Sequence, residues 1–118
     1  MRVCLWQWHL GYGQQSQLPS RRGFDSYLGY WNGAESYYNH TIGEATSNCT
    51  LGGTSPIYDF VDDKLGAANS TQTGYAWASD YSTHVFSRRA VDIITAAAAA
   101  KSRIPWFIYL AYQSGKYI

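Results

Sequence analysis

Charge is scarce in this chain of 118 residues: 14% of positions are Asp, Glu, Lys or Arg, against roughly 25% in an average domain. Nine basic and eight acidic residues leave a net charge of +1, with no run of one sign. A nucleic-acid binder needs a basic stripe to displace counterions from phosphates, so that class is excluded. Long apolar runs are also lacking. Residues 93–100 and 104–112 are apolar, but Lys101 and Arg103 divide them and neither is long enough to span a bilayer. The start, Met1-Arg2 and then Val3-Cys4-Leu5-Trp6, breaks at Gln7, short of the 7–15 apolar residues of a secretory h-region. Two cysteines, Cys4 and Cys49, fit either one disulfide or two separate partners, and spacing does not decide between them.

What is abundant argues for a packed, secreted-type domain. Aromatic residues make up 17% of the chain and hydrophobic ones 46%, which excludes a disordered polymer. The length suits one domain. Three of the four asparagines stand in Asn-X-Ser/Thr acceptors, at Asn39, Asn48 and Asn69, a density that points to the secretory route and glycosylation.

Periodicity gives a coarse organisation. Residues 2–10 have the composition of a short buried strand that closes at Gly11-Tyr12-Gly13, and residues 14–22 are a polar loop. Residues 24–31 carry aromatics at near-alternate positions and predict a second strand or a short helical turn. From 32 to 73 the chain is rich in Gly, Ser, Thr and Asn, which predicts a surface excursion of hairpins and loops. Ile57-Tyr58-Asp59-Phe60-Val61 is a strand-like island within it. Asp62-Asp63-Lys64-Leu65-Gly66 has the look of a solvated turn, so the Asp59, Asp62 and Asp63 cluster is not taken as a metal site. Ser79 or Asp80 can cap a helix that runs to about Ala100. Its apolar face comprises Tyr81, Val85, Phe86, Ala90, Ile93, Ile94 and Ala97, with Arg88, Arg89 and Asp92 largely opposite. Pro105 stops it, and Trp106–Tyr112 is the continuous apolar run of a strand covered on both faces. Strand, excursion, helix and strand predict a parallel crossover in an α/β layer fold. Both strands need further neighbours, so the chain is expected to be a piece of a larger sheet.

Several ordered motifs make a resemblance. Trp8-His9-Leu10-Gly11 is followed by Leu18-Pro19-Ser20-Arg21-Arg22-Gly23-Phe24-Asp25-Ser26-Tyr27-Leu28-Gly29-Tyr30. Next come Ser36-Tyr37-Tyr38-Asn39-His40, then Thr73-Gly74-Tyr75 and Tyr81-Ser82-Thr83 with Phe86, Arg89 and Ala90. The series closes with Phe107-Ile108-Tyr109-Leu110-Ala111-Tyr112-Gln113-Ser114. This string resembles the type I sulfatases, in particular the arylsulfatase B group (N-acetylgalactosamine-4-sulfatase and close relatives), and it covers nearly the whole chain. The resemblance implies a partial alkaline-phosphatase-like α/β domain over residues 1–118, with a mostly parallel central sheet and flanking helices. It also implies hydrolysis of sulfate esters, with a sulfated glycan or aryl sulfate as substrate, in a lysosomal or secreted glycoprotein. The family's nucleophile is a formylglycine made from cysteine in Cys-X-Pro-Ser-Arg, and its cofactor is calcium held by carboxylates and an amide.

Transferred position by position, little of that machinery is present. His9 is the family histidine, which the resemblance makes a catalytic and sulfate-binding residue; read without its neighbours it would be an ordinary half-buried histidine. Gln7 stands where the family has lysine, and an amide supplies a hydrogen bond but no charge. Gln17-Leu18-Pro19-Ser20-Arg21 imitates the nucleophile motif with glutamine for cysteine, but its position matches the family's downstream loop instead. Cys4 lacks the Pro-Ser-Arg context. After Gln113-Ser114 the family's second histidine is replaced by Gly115-Lys116-Tyr117-Ile118. Neither the nucleophile nor the calcium ligands are expected in this chain, so by itself it is expected to be inactive and to associate with the rest of a sulfatase domain. The competing readings are a secreted carbohydrate-binding module, with Trp6, Trp31 and Trp77 along one groove, and a truncated pseudoenzyme paired with a full-length relative.

The acceptor triplets make one direct prediction. The chain produced through a secretory pathway will migrate as several species, and enzymatic removal of N-linked glycans will collapse them to the polypeptide mass. Loss of all three asparagines should abolish that shift, and an unchanged mass in the parent chain contradicts the reading.

Overall fold

The structure is a computed structural model that describes residues 1–33, 35–42, 57–64, 71–72, 79–101 and 103–115. Two chain segments meet at its centre. Strand β1 (Arg2–Gln7) and strand β2 (Ser26–Tyr30) pair in parallel, with Val3 opposite Ser26 and Gln7 opposite Tyr30. Between them, residues 8–25 hold two short 3-10 turns, Gln15–Gln17 and Pro19–Arg21, in the segment expected to be loop. Two short strands, β3 (Thr41–Ile42) and β4 (Ile57–Tyr58), form a small antiparallel pair. Strand β5 (Phe60–Lys64) runs antiparallel to β2, and β6 (Thr71–Gln72) lies beyond it. Helix α1 (Ser82–Ala99) leads to β7 (Phe107–Leu110), which pairs in parallel with β1. The sheet order is β6-β5-β2-β1-β7, a parallel half joined to an antiparallel one. The parallel pairing of β1 with β7 is the expected crossover.

Alternation along the strands separates two faces. Val3, Leu5, Leu28 and Tyr30 face α1 and pack with Phe60, Val85, Phe86 and Ala90. The rings of Tyr30 and Phe60 lie 4.9 Å apart, and the Phe60 and Phe86 rings 5.8 Å. On the opposite face Cys4, Trp8 and Tyr27 pack with Trp6, Phe24 and Trp31.

Several expectations need correction. Asp62 and Asp63 are not a solvated turn; they lie within β5. Asp62 accepts from the Arg89 guanidinium of α1 at 3.1 Å, and Asp63, on the other face, is only 3% exposed. The middle of the chain is therefore not simply a surface excursion, since Phe60, Val61 and His40 are fully buried. Neither Ser79 nor Asp80 caps the helix. Ser79 has φ of +96°, Asp80 pairs instead with Arg88, and Tyr81 occupies the cap position without a side-chain bond. The Tyr37 carbonyl takes the Ser82 N–H at 2.9 Å, so the excursion itself closes the helix start. Ile94, placed on the apolar face, is exposed, whereas Arg89, placed opposite, is half-buried against Asp62. Among the described residues β7 is covered unequally: Ile108 and Leu110 pack on the core, whereas on the other face Tyr109 meets the Trp6 ring at 5.3 Å but is 40% exposed, and Phe107 is 56% exposed.

Among the described glycines the closest approach is at Gly29, whose position faces Trp6 across the β1–β2 pair. A Cβ built there would lie 1.8 Å from the Trp6 carbonyl oxygen, inside any tolerable contact. Overpacking at main chain cannot be relieved by a rotamer change, so Gly29→Ala should cost about 3 kcal/mol or more. Urea unfolding of the variant checks this, and a loss below about 1 kcal/mol, on the scale of a bare Gly/Ala exchange, would show that the pair separates easily.

Candidate functional site

Strand β1 ends at Gln7, but its pairing with the chain that follows β2 continues. The Trp8 N–H donates to the Tyr30 carbonyl at 2.6 Å and the His9 N–H to the Trp31 carbonyl at 2.9 Å. The two residues of the motif then do opposite things. Trp8 turns into the aromatic core, and its Nε1–H lies 3.0 Å from both the Gly11 and Gln17 carbonyls, which fastens the loop to the strand end. His9 is exposed and has φ of +50°, a left-handed conformation uncommon outside glycine and costly unless its surroundings impose it. Gly11, with φ of +96°, completes the turn. The motif thus folds so that its tryptophan anchors and its histidine is presented.

Gln7 and His9 do share a side, as their spacing of two predicts. Their side chains meet, with Gln7 Nε2 3.2 Å from His9 Nδ1. Gly33 makes room for the pair, because a Cβ there would stand 3.0 Å from Gln7 Nε2 and 3.2 Å from His9 Cε1. Beside them, Trp6, Gln7, Tyr112, Gln113, Ser114 and Gly115 line a cavity of about 440 Å³ at the carboxyl ends of β1 and β7. Parallel α/β sheets place ligands at this end. Among the described residues the lining is uncharged: two amides, a serine hydroxyl and two aromatic rings. Gln113 is held by donating Nε2–H to the Glu35 carbonyl at 3.1 Å and by accepting, at its own carbonyl, the Tyr37 O–H at 3.0 Å.

Two buried carboxyls lie near this end of the sheet. Asp59 Oδ2 accepts the Asn32 N–H at 2.8 Å and the Asn32 amide at 3.1 Å. Glu35 is 5% exposed. Burial, reinforced by Asp59 beside it, pushes the Glu35 carboxyl up to about 9, so it is neutral at pH 7. Glu35 is not among the residues singled out from the sequence, although it directly precedes Ser36-Tyr37-Tyr38; a single buried acid leaves no periodic signal.

The other candidates disperse. Asp59, Asp62 and Asp63 do not converge, and no group of three metal-ligating side chains occurs among the described residues. Calcium takes six to eight oxygen ligands with carboxylates among them, and the cleft offers amide and hydroxyl oxygens only. The described residues do not fit calcium. Cys4 is buried and free, and burial pushes its thiol up to about 12, which leaves no thiolate for chemistry at neutral pH. In the imitation motif, Pro19 and Ser20 are buried in a 3-10 turn and Gln17 accepts the Gln14 N–H, a structural role. Asn39 is exposed; Asn48, Asn69 and Cys49 lie outside the described residues. Trp6 and Trp31 are half-buried against the Cys4–Trp8–Tyr27 cluster, and Trp77 lies outside the described residues. No helix among the described residues is long and apolar enough to cross a membrane.

Comparison with known proteins gives the following. No family model matches the chain. The mouse protein Arylsulfatase J is 29% identical over 111 residues, covering 92% of this chain and 15% of the relative. Two solved structures of Ps i-CgsB, one in complex with k-i-k-neocarrahexaose, superpose with TM-scores of 0.63 and 0.64. Each is 25% identical to this chain and covers 98% of it, against 24% of its own length. The chain therefore spans a minor part of the proteins it matches. The sequence likeness supports the sulfatase resemblance, and the structural likeness supports an α/β fold consistent with part of an alkaline-phosphatase-like domain. Neither singles out the arylsulfatase B group.

Glu35 generates a pH prediction. Its folded value lies above the unfolded value of 4.5, so its contribution to stability is complete below that pH and is lost as pH rises toward about 9. Each unit between the two values corresponds to about 1.4 kcal/mol. Glu35→Gln should therefore raise the melting temperature at pH 8 and flatten the parent's decline between pH 5 and 9. Parallel thermal profiles for the two proteins would show that Glu35 ionises without cost.

Proposed function

We propose that these residues form an interior portion of a sulfatase domain related to arylsulfatase B, and that the cleft at the carboxyl ends of β1 and β7 is the part of its sulfate-ester site contributed by this chain. The observation that carries the reading is the delivery of His9, within Trp8-His9-Leu10-Gly11, at the carboxyl end of a parallel strand in contact with Gln7, which itself lines the cleft with Gln113 and Ser114. The likeness to an arylsulfatase supports it, as does the fold shared with a protein solved in complex with an oligosaccharide. The substrate would be a sulfated glycan or an aryl sulfate. Cleavage builds negative charge on the leaving oxygen, and a histidine N–H at the strand end can hydrogen-bond to the sulfate oxygens as that charge grows.

The chain by itself is inactive in this reading. No cysteine is followed by X-Pro-Ser-Arg: Cys4 is followed by Leu5-Trp6-Gln7, and Cys49 by Thr50. Gln7 replaces a lysine with a neutral amide, which removes the charged contact that an anionic group in a desolvated site rewards most. Calcium, implied by the family, would be held by residues other than those described. The partner is the remainder of a sulfatase domain, which would extend the sheet beyond β7 and cover Phe107 and Tyr109. A lysosomal or secreted location, with glycans on Asn39, Asn48 and Asn69, completes the proposal.

The test has two parts. With an aryl sulfate and calcium the purified chain should show no turnover above background, and turnover abolished by His9→Ala would prove the chain competent by itself. Titration with a sulfated oligosaccharide, followed by amide NMR, should perturb Gln7, His9 and Ser114 first. Perturbations confined elsewhere on the molecule would remove the cleft from the reading.

A further inference from the structure

We propose that Gln7 is a positioning residue that sets the tautomer of the His9 imidazole, with the ring proton on Nε2, so that the site presents an Nε2–H donor to an acceptor oxygen of its ligand. The reading rests on donor and acceptor inventory. An amide nitrogen carries two hydrogens and no lone pair for bonding, so Gln7 Nε2 at 3.2 Å can only donate to His9 Nδ1. A ring that accepts at Nδ1 and remains neutral must carry its hydrogen on Nε2. The other tautomer would set Nδ1–H against the amide hydrogens, so it needs the Gln7 side chain to turn over.

The surroundings oppose that turn. Gln7 is 7% exposed, and Gly33 packs so closely that even a methyl group there would touch both members of the pair. The His9 backbone is fixed by its bond to the Trp31 carbonyl and by its positive φ. The ring itself is exposed, so Nε2–H is the edge that meets a ligand. A histidine held in this way donates a hydrogen bond to a sulfate oxygen or to a sugar oxygen alike. Sequence position alone records only that a lysine is missing; the contact shows what the amide does in its place.

The inference depends on the proposed function only in treating the carboxyl end of β1 as a ligand site. Its test uses ligand-free protein, so either can fail without the other. Two-bond proton–nitrogen correlation spectra of the nitrogen-labelled chain, at a mildly alkaline pH, report which ring nitrogen of His9 is protonated. The parent should show a protonated Nε2 and a bare Nδ1. In Gln7→Glu an acceptor faces Nδ1, so Nδ1 should become protonated. In Gln7→Met, which keeps the length and removes the donor, the two nitrogen signals should move toward each other as tautomers mix. A protonated Nδ1 in the parent overturns the proposal, as does a Gln7→Met spectrum with both His9 signals at parent positions. If the buried carboxylate of Gln7→Glu prevents folding, Gln7→Met decides alone.

Discussion

The close approach of β1 and β2 at Gly29 is the contact on which the rest of the structure depends. The strands pass so near that the Trp6 carbonyl occupies the space of a side chain. The Tyr27 hydroxyl lies 2.8 Å from the same carbonyl and 2.5 Å from that of Tyr30, which fastens the strand ends from the aromatic face. Burial holds this phenol well above its ordinary titration range, so it stays a hydroxyl. Because the register is fixed here, Gln7 falls opposite Tyr30 and the segment beyond β2 brings Gly33 against Gln7 and His9. The cleft inherits its geometry from a side chain that is missing beside it.

The two faces of the sheet serve different ends. The α1 face is a continuous apolar core, tied at one point by the half-buried Arg89–Asp62 pair. The Tyr30 hydroxyl reaches the fully buried His40 ring at 2.7 Å, and that ring stacks on Phe60 at 4.6 Å. This draws the 35–42 segment into the core and lets Tyr37 touch both the start of α1 and the Gln113 carbonyl. A single tyrosine thus couples the helix to the cleft. The other face is built of large rings edge to face, with Trp8 6.3 Å from Tyr27 and 6.5 Å from Phe24, and it thins out toward β7.

Legibility in the sequence follows the range of the interaction. β1, α1 and β7 are readable because their apolar periods are local, whereas the aromatics around Gly29 leave strand and helical turn both open for β2. Trp8-His9-Leu10-Gly11 is readable as a motif, and its place at a strand end follows from the run before it. Asp62-Asp63 misleads because two adjacent acids resemble a turn, whereas each finds its environment across the sheet, Asp62 from an arginine 27 residues away. The helix start misleads for the same reason: its cap is a carbonyl from Tyr37, not a neighbouring side chain. Glu35 is invisible because burial of one carboxyl depends on Asp59 and on packing that no local pattern encodes. The full cover expected on β7 comes from its composition, and the described residues supply it on one side.

The pairing of β1 with β7 also has a temporal side. The Met1 amino group donates to the Pro105 carbonyl across 104 positions, and Arg2 lies opposite Phe107. Such distant closure ranks among the slow events of folding. A ribosome delivers residues one after another, so β1 must wait, with the flank that β7 will take bare, until residues 107–110 have emerged. During that interval β2 is the one described strand paired with it, and the nascent polypeptide at that stage is the form in which a chaperone would find that flank most exposed.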